Sequence, residues 1–390
     1  GFTYKDCYII AGDELRPGEN FTKYSALLLF QKNERDEDAL PCPSCRSLDI
    51  RGNSYPVIGV KSWECKNPLC PGKSKYNRGK RFSFSSILKQ ESICSADNVI
   101  DRDLINEWRL DMVTCKTLPD VLEMIIKEYS FVGDTIKVYS GKPIDISGYG
   151  RKVLVSTMPD IYEDPEMFWH SDYFKRFMVE DGRMEKFESY PSLAKQFFYR
   201  GNCRDVLNAL PPETAEGAVT SPPYYNAMSY SQWDNIYCYL YDMYNQGRAV
   251  YRALKQRGLY LYNIFDYFDN ERNLVFSDMG KKRMILGAYI IRMFRDAGFK
   301  IAGNIIWYKG HIQGNRSNNQ GNNSPYYQAP LNCYEHIFVF RKGDEGALTR
   351  RFPDILNVKP VIKMIKGKNV LGHTAPFPEA IPELLLSRIH

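Results

Sequence analysis

The chain has 390 residues, 44% of them hydrophobic and 25% charged, a length for two to three domains and a composition that supplies a globular core. No run of 18 uncharged apolar residues occurs, which excludes a transmembrane helix; with no secretory signal in view, a cytoplasmic protein is expected. The net charge of +6 permits an anionic partner without requiring one.

Residues 1–40 form an N-terminal segment with one apolar run, Tyr24–Phe30, and a charged linker, Lys32–Asp38. They say nothing about chemistry. Residues 41–92 say more. Cys42-Pro-Ser-Cys45 is followed by Cys65-Lys-Asn-Pro-Leu-Cys70. Two short cysteine pairs joined by an insert of hairpin length are the arrangement of a structural zinc ribbon, with Cys42, Cys45, Cys65 and Cys70 closing a tetrahedral shell of thiolates. Disulfides are the other use of such pairs, and a reducing cytosol disfavours them. The remaining six of the ten cysteines are scattered singly.

Between residues 42 and 90 stand ten Lys or Arg and two acids, a surplus of eight that exceeds the net charge of the whole chain. Lys73, Lys75, Arg78, Lys80 and Arg81 are interleaved with Tyr76, Phe82 and Phe84. Such a surface neutralises phosphates and offers rings to bases. The plainer reading is a solvated basic loop whose aromatics pack under a ribbon too small for its own core.

Residues 93–196 are expected to connect the ribbon to the next domain. Asp101–Val113 and Leu118–Tyr129 carry apolar residues at three- and four-residue spacing and are predicted helices. A short helical piece is expected near Tyr173–Val179. Phe168-Trp169-His170 has no Cys, His or acid at ligand spacing, so no site is assigned to it.

From residue 197 strands and helices alternate, which predicts a mostly parallel sheet with helices on both faces. Strands are expected at Phe197–Arg200, Ala218–Ser221, Leu259–Ile264, Ile301–Tyr308 and Glu335–Phe340. Helices are expected at Arg204–Leu210, Gln232–Leu254 and Met279–Ala297. Thr220-Ser221-Pro222-Pro223-Tyr224 closes the second strand. Neither proline donates a ladder hydrogen bond, so the strand stops there, and the locked φ angles aim the carbonyls of Ser221 and Pro222. Rigid acceptors beside a hydroxyl and a flat ring suit a planar base with an exocyclic amine; an ordinary Pro-Pro turn is the alternative.

Ser221–Tyr224 (SPPY) resembles the catalytic motif of the DNA amino-methyltransferases, which move a methyl group from S-adenosylmethionine to cytosine N4 or adenine N6. Five further segments resemble that family: Tyr199–Leu210, Gly258–Phe265, Asn304–Lys309, Glu335–Lys342 and His373–Pro378. Together they span roughly 197–390, in the order of the β class. Two departures stand out. The glycine-rich loop that follows the last segment in that class does not occur, and the chain begins at Gly1, so a fragment is expected, its catalytic domain (197–390) cut at the C-terminus. Asn202 stands where the family usually has Asp.

The resemblance implies an α/β fold, a Rossmann-like doubly wound sheet incomplete at the C-terminus, with a small N-terminal zinc ribbon and a helical connector. It implies a site-specific DNA methyltransferase, cytosine N4 favoured over adenine N6 because Ser rather than Asp precedes the prolines. The Pro222 carbonyl and Ser221 would bind the amine, Pro223 would hold the turn, and Tyr224 would stack on a flipped base. Asn202, Thr220, His373, Phe377 and Pro378 would serve S-adenosylmethionine. Arg316 lies in a polar segment, 311–330, suited to reading base edges. DNA is the expected partner, with a cognate restriction endonuclease as a second. The alternatives are a zinc-ribbon nucleic-acid-binding protein with an inactive methyltransferase-like domain, and an RNA amino-methyltransferase.

Overall fold

The computed structural model describes residues 2–12, 20–21, 24–32, 42, 44–45, 47, 49–55, 59–73, 81–83, 110–130, 133–157, 186–193, 196–225, 231–269, 282–284, 286–310, 333–343, 351–361, 364–365, 368–369, 376 and 378–389. The expected helical piece near 173–179, the cluster Phe168–His170 and the polar segment from 311 lie outside these residues.

The chain opens with β1 (Phe2–Ala11), β2 (Asn20–Phe21) and β3 (Ser25–Lys32). The ribbon follows as an antiparallel sheet of β4 (Ile50–Tyr55), β5 (Gly59–Cys65) and β6 (Arg81–Ser83). Next, β7 (Met112–Thr114) pairs parallel with β1, which also pairs antiparallel with β3. The helix expected over 101–113 is therefore corrected at its described end. Met112 and Val113 are extended because β1 offers them a ladder, and tertiary pairing overrides a helical spacing that short.

Helix α1 (Leu118–Tyr129) has the bounds its spacing predicts. Thr117 and Asp120 form a capping box that satisfies two orphan N–H groups, and Pro119 sits in the first turn, where a missing N–H costs nothing. Residues alternate across β1: Cys7, Ile9 and Ala11 face Ile306, Tyr334 and Ile355, while Tyr8 and Ile10 face Val121, Met124 and Ile125 of α1. The N-terminal sheet is thus sandwiched between α1 and the sheet described next.

Two pairs of strands follow: β8 (Thr135–Ser140) with β9 (Lys152–Thr157), parallel, and β10 (Glu188–Leu193) with β11 (Gln196–Arg200), antiparallel. After them come α2 (Cys203–Ala209), β12 (Ala215–Thr220), α3 (Ile236–Ala253), β13 (Leu254–Ile264), the hairpin of β14 (Tyr267–Asp269) and β15 (Lys282–Met284), α4 (Leu286–Asp296), β16 (Phe299–Tyr308), β17 (Tyr334–Lys342), β18 (Ile355–Asn357) and α5 (Ala380–Leu386). The central sheet runs β12-β13-β17-β16-β18-β2. It has helices on both faces but is mixed rather than mostly parallel. β17 lies antiparallel to both β13 and β16. No apolar segment of helical period separates β16 from β17 in sequence, and a parallel return needs a long crossover.

Period two sorts the core. Tyr260, Tyr262 and Ile264 of β13 and Phe338 and Phe340 of β17 pack under α3 and α4. Leu259, Leu261, Ile337 and Val339 face the other way, toward Ile381 and Leu385 of α5. Gly247 of α3 lies against Phe294 of α4: a Cβ there would stand 2.4 Å from Cε1 of Phe294. Gly to Ala inside a helix ordinarily gains about 1 kcal/mol. Phe294 is fully buried against Tyr260, Phe299 and Phe340 and has nowhere to go, and overpacking costs about 1–3 kcal/mol. Gly247→Ala is therefore expected to lower the melting temperature by a few degrees, as calorimetry would show; a rise would mean that α3 and α4 separate easily.

Candidate active site and metal centre

The register places one end of the sheet with care. Thr220 pairs with Tyr262, Ile264 with His336, and Trp307 with Glu335. The carboxyl ends of β12, β13 and β16 and the amino end of β17 therefore meet. Ligands of open α/β sheets bind at carboxyl ends of strands. Ser221–Tyr224 leaves β12 there, with Pro222 buried and Pro223 exposed.

Around Tyr224 the side chains form a continuous polar chain. Its hydroxyl donates to Glu335 Oε2 at 2.7 Å and accepts from Ser221 Oγ at 3.2 Å, with Asn263 Oδ1 at 3.5 Å. Lys309 Nζ donates to Glu335 Oε1 at 2.8 Å. Asn263 is held in turn by its Nδ2, which donates to the His336 carbonyl. The ring of Tyr224 meets Phe265 edge to face, centroids 4.6 Å apart. Burial, and next the charge of Glu335, push the Tyr224 phenol well above its ordinary range, so the hydroxyl keeps its proton and remains a donor. Asp266, buried just past β13, accepts from the Tyr4 hydroxyl of β1.

The structure thus brings Ser221 and Tyr224 together and adds Glu335, Lys309, Asn263 and Phe265, which carry no role in the sequence reading. A charge at the edge of each of two apolar strands, Lys309 just past β16 and Glu335 just inside β17, is the signal that marks them.

The residues expected to serve a cofactor are less gathered. Oδ1 of Asn202 caps α2 by accepting from the Arg204 amide at 3.0 Å. Thr220 ends β12. Pro378 is buried ahead of α5, whose Leu385 packs on Gly217 of β12. His373 and Phe377 lie outside the described residues.

In the ribbon, the Sγ atoms of Cys42, Cys45, Cys65 and Cys70 all lie within 4.8 Å of one another. Cys42 and Cys70 are 3.8 Å apart, Cys45 and Cys65 3.6 Å. A tetrahedral zinc with bonds of about 2.3 Å puts its sulfurs about 3.8 Å apart, whereas a disulfide needs about 2 Å. The distances fit the metal. Turns shape the cage: the Cys42 amide donates to Ser47 O, and Asn67 Oδ1 accepts from the Leu69 amide between the second pair. A backbone hydrogen bond at Ser47 lowers the Cys45 thiol to about 7, while burial pushes Cys65 up to about 12. Of the basic residues, Arg81 is 63% exposed at 4.0 Å from Glu64, and Lys73 reaches the Pro68 carbonyl. Lys75, Arg78, Lys80 and Arg316 lie outside the described residues. Among the described residues, no helix is long and apolar enough to cross a membrane.

The chain is 39% identical over 430 aligned residues to the Type II beta methyltransferase M.BslI of Bacillus sp. (strain NEB-606), covering 99% of this chain and 47% of that protein. It is 28% identical over 197 residues to the Type II methyltransferase M.MwoI of Methanothermobacter wolfeii, covering 48% and 26%. The chain therefore spans about half the length of the first relative and about a quarter of the second. Among solved structures, the cytosine-N4-specific PvuII DNA methyltransferase matches 48% of this chain and 67% of its own at 19% identity and a TM-score of 0.37. A putative DNA modification methylase of Thermus thermophilus, complexed with S-adenosyl-L-methionine, matches 37% and 52% at 25% identity and a TM-score of 0.28. TM-scores this low establish no residue-by-residue equivalence. The sequence model of the DNA methylases matches residues 216–389, the stretch that holds β12 to α5 and the polar chain around Tyr224, and with the M.BslI likeness it identifies that stretch as a DNA methylase domain.

Proposed function

We propose that the chain carries the base-binding site of a methyltransferase that modifies an exocyclic amine of DNA, cytosine N4 in preference to adenine N6. The observation that carries the reading is the cluster at the end of β12: rigid proline-set carbonyls, the Ser221 hydroxyl and the Tyr224 ring within one hydrogen-bonded chain. An amine inside a duplex is out of reach, so its base must leave the stack. Its lone pair is delocalised into the ring and is a poor nucleophile. The Pro222 carbonyl and Ser221 Oγ accept its N–H groups, draw the nitrogen toward tetrahedral geometry and steady the charge that develops there. Tyr224 supplies a face for the base. Thr220 at the carboxyl end of β12 and Pro378 ahead of α5 would help to hold S-adenosylmethionine, which would supply the electrophilic methyl group. The ribbon holds one structural zinc and, with Lys73 to Arg81, contacts phosphates. The Type II names of the relatives support an endonuclease of the same DNA sequence as partner.

The test uses protein expressed from the complete reading frame, radiolabelled cofactor and genomic DNA from a foreign source. Label should enter the DNA and, after digestion and chromatography, run with N4-methylcytosine. Label in N6-methyladenine would move the target base and keep the chemistry. Label on cytosine C5, or none, would sink the proposal.

A further inference from the structure

We propose that Glu335 and Lys309 are positioning residues that act through the Tyr224 hydroxyl to turn the proton of Ser221 away from the substrate, so that Ser221 meets the amine with lone pairs only. This rests on the function proposed above and assigns a task to two side chains that do not themselves touch the base.

A phenol has one proton. Among the described residues, the Tyr224 oxygen has three polar neighbours: Glu335 Oε2 at 2.7 Å, Ser221 Oγ at 3.2 Å and Asn263 Oδ1 at 3.5 Å. The carboxylate is the nearest and, of these three, the charged acceptor, and charge-assisted bonds are the stronger ones. The phenol proton therefore goes to Glu335. With it committed, Ser221 joins the chain only by donating its own proton to the Tyr224 oxygen. Both lone pairs of Ser221 Oγ then remain for the N–H groups of an amine. A serine with a free proton is ambiguous: pointed at the amine, it would oppose the N–H donors and bind the lone pair that must attack.

Lys309 keeps the first link in place. Its ammonium lies 2.8 Å from Glu335 Oε1, and the two side chains are only 14% and 11% exposed. Ion pairs this dry are weak evidence for stability, since an apolar pair of like volume often serves as well. At the mouth of the site this pair does something an apolar pair would not: it fixes the direction of every proton from Lys309 to Ser221. Asn263, anchored on the His336 carbonyl, holds its Oδ1 at 3.5 Å from the phenol oxygen, farther than the carboxylate that takes the proton.

The experiment is a double-mutant cycle in protein from the complete reading frame. Glu335→Gln, Lys309→Met and Tyr224→Phe should each lower kcat for methyl transfer about tenfold, the worth of one orienting bond to a charged group, and leave KM for DNA within about twofold. In a Ser221→Ala background Glu335→Gln should have no further effect, because its action passes through the missing hydroxyl. A purely structural role would instead multiply the two losses. Independently of turnover, protein labelled with 13C at tyrosine Cζ should show a resonance, assigned by its loss in Tyr224→Phe, that moves in Glu335→Gln and Lys309→Met and stays put in Lys255→Met on the surface. An active parent with unchanged Glu335→Gln kinetics, or multiplicative losses in the cycle, overturns this inference and leaves the proposed function standing. A parent without DNA methyl transfer overturns the function. A Tyr224 resonance indifferent to Glu335 overturns the inference whatever the activity.

Discussion

Tyr224→Ala is expected to lower methyl transfer to DNA about 5- to 160-fold beyond the loss in Tyr224→Phe. Base–aromatic stacking is typically worth about 1–3 kcal/mol, and each 1.4 kcal/mol is about tenfold in rate. The loss should exceed that of Tyr224→Phe, which cuts the polar chain but keeps the ring. Single-turnover assays with radiolabelled cofactor would separate the two variants. The Ala variant should fold, since Tyr224 packs at the rim of its core cluster rather than within it, and should keep its zinc. Equal activity of parent and Ala variant would remove the stacking role.

Replacing two of the four thiolates, Cys65→Ser with Cys70→Ser, is expected to unfold the ribbon and nothing else. A structural zinc contributes about 10–16 kcal/mol of apparent binding free energy at neutral pH in small domains, and that binding is folding. Cys42, Cys65 and Cys70 are buried among themselves and Ile50, a core too small to stand without a metal. Atomic absorption should find about one zinc per parent chain purified under reducing conditions and almost none in the double variant. The two proteins should share their cooperative thermal transition, because the core clusters under α3, α4 and α5 contain no residue of the cage. Zinc retained in full by the variant, or absent from the parent, would contradict the site.

Much of the central sheet is legible in the sequence because its elements are long and one-sided. Alternation along β13 and β17 and three- to four-residue spacing along α1 and α4 each reflect a face buried against a neighbour. Ser221–Tyr224 is legible because two prolines can only stand where a strand stops. Glu335 and Lys309 are not. Each is an ordinary charge at the end of a strand until the fold brings it to a hydroxyl 111 residues from Glu335. The same reason hides β1, β2 and β7. Residues 1–40 look uninformative alone, yet β2 pairs with β18 at the edge of the central sheet and Tyr4 reaches Asp266 beside the candidate site. No local pattern encodes a partner that far along the chain.

Those long-range contacts set how long the early strands wait for their cover while the chain is made. Tyr334 donates to the Cys7 carbonyl across 327 residues, and the Cys333 amide donates to Asp111 across 222. A ribosome adds about 5–20 residues per second. The first strand therefore waits roughly 15 seconds to a minute or more for the strand that covers it. During that time Ile9, Ala11 and Met112, buried in the finished protein, are without their final cover. Contacts of such sequence separation slow folding and leave apolar strands open to wrong partners. Early strands of this kind are where a chaperone would engage the nascent chain. Moving residues 2–32 and 110–130 next to residues 197–389, as a circular permutant that still folds, would shorten that interval and raise the soluble yield.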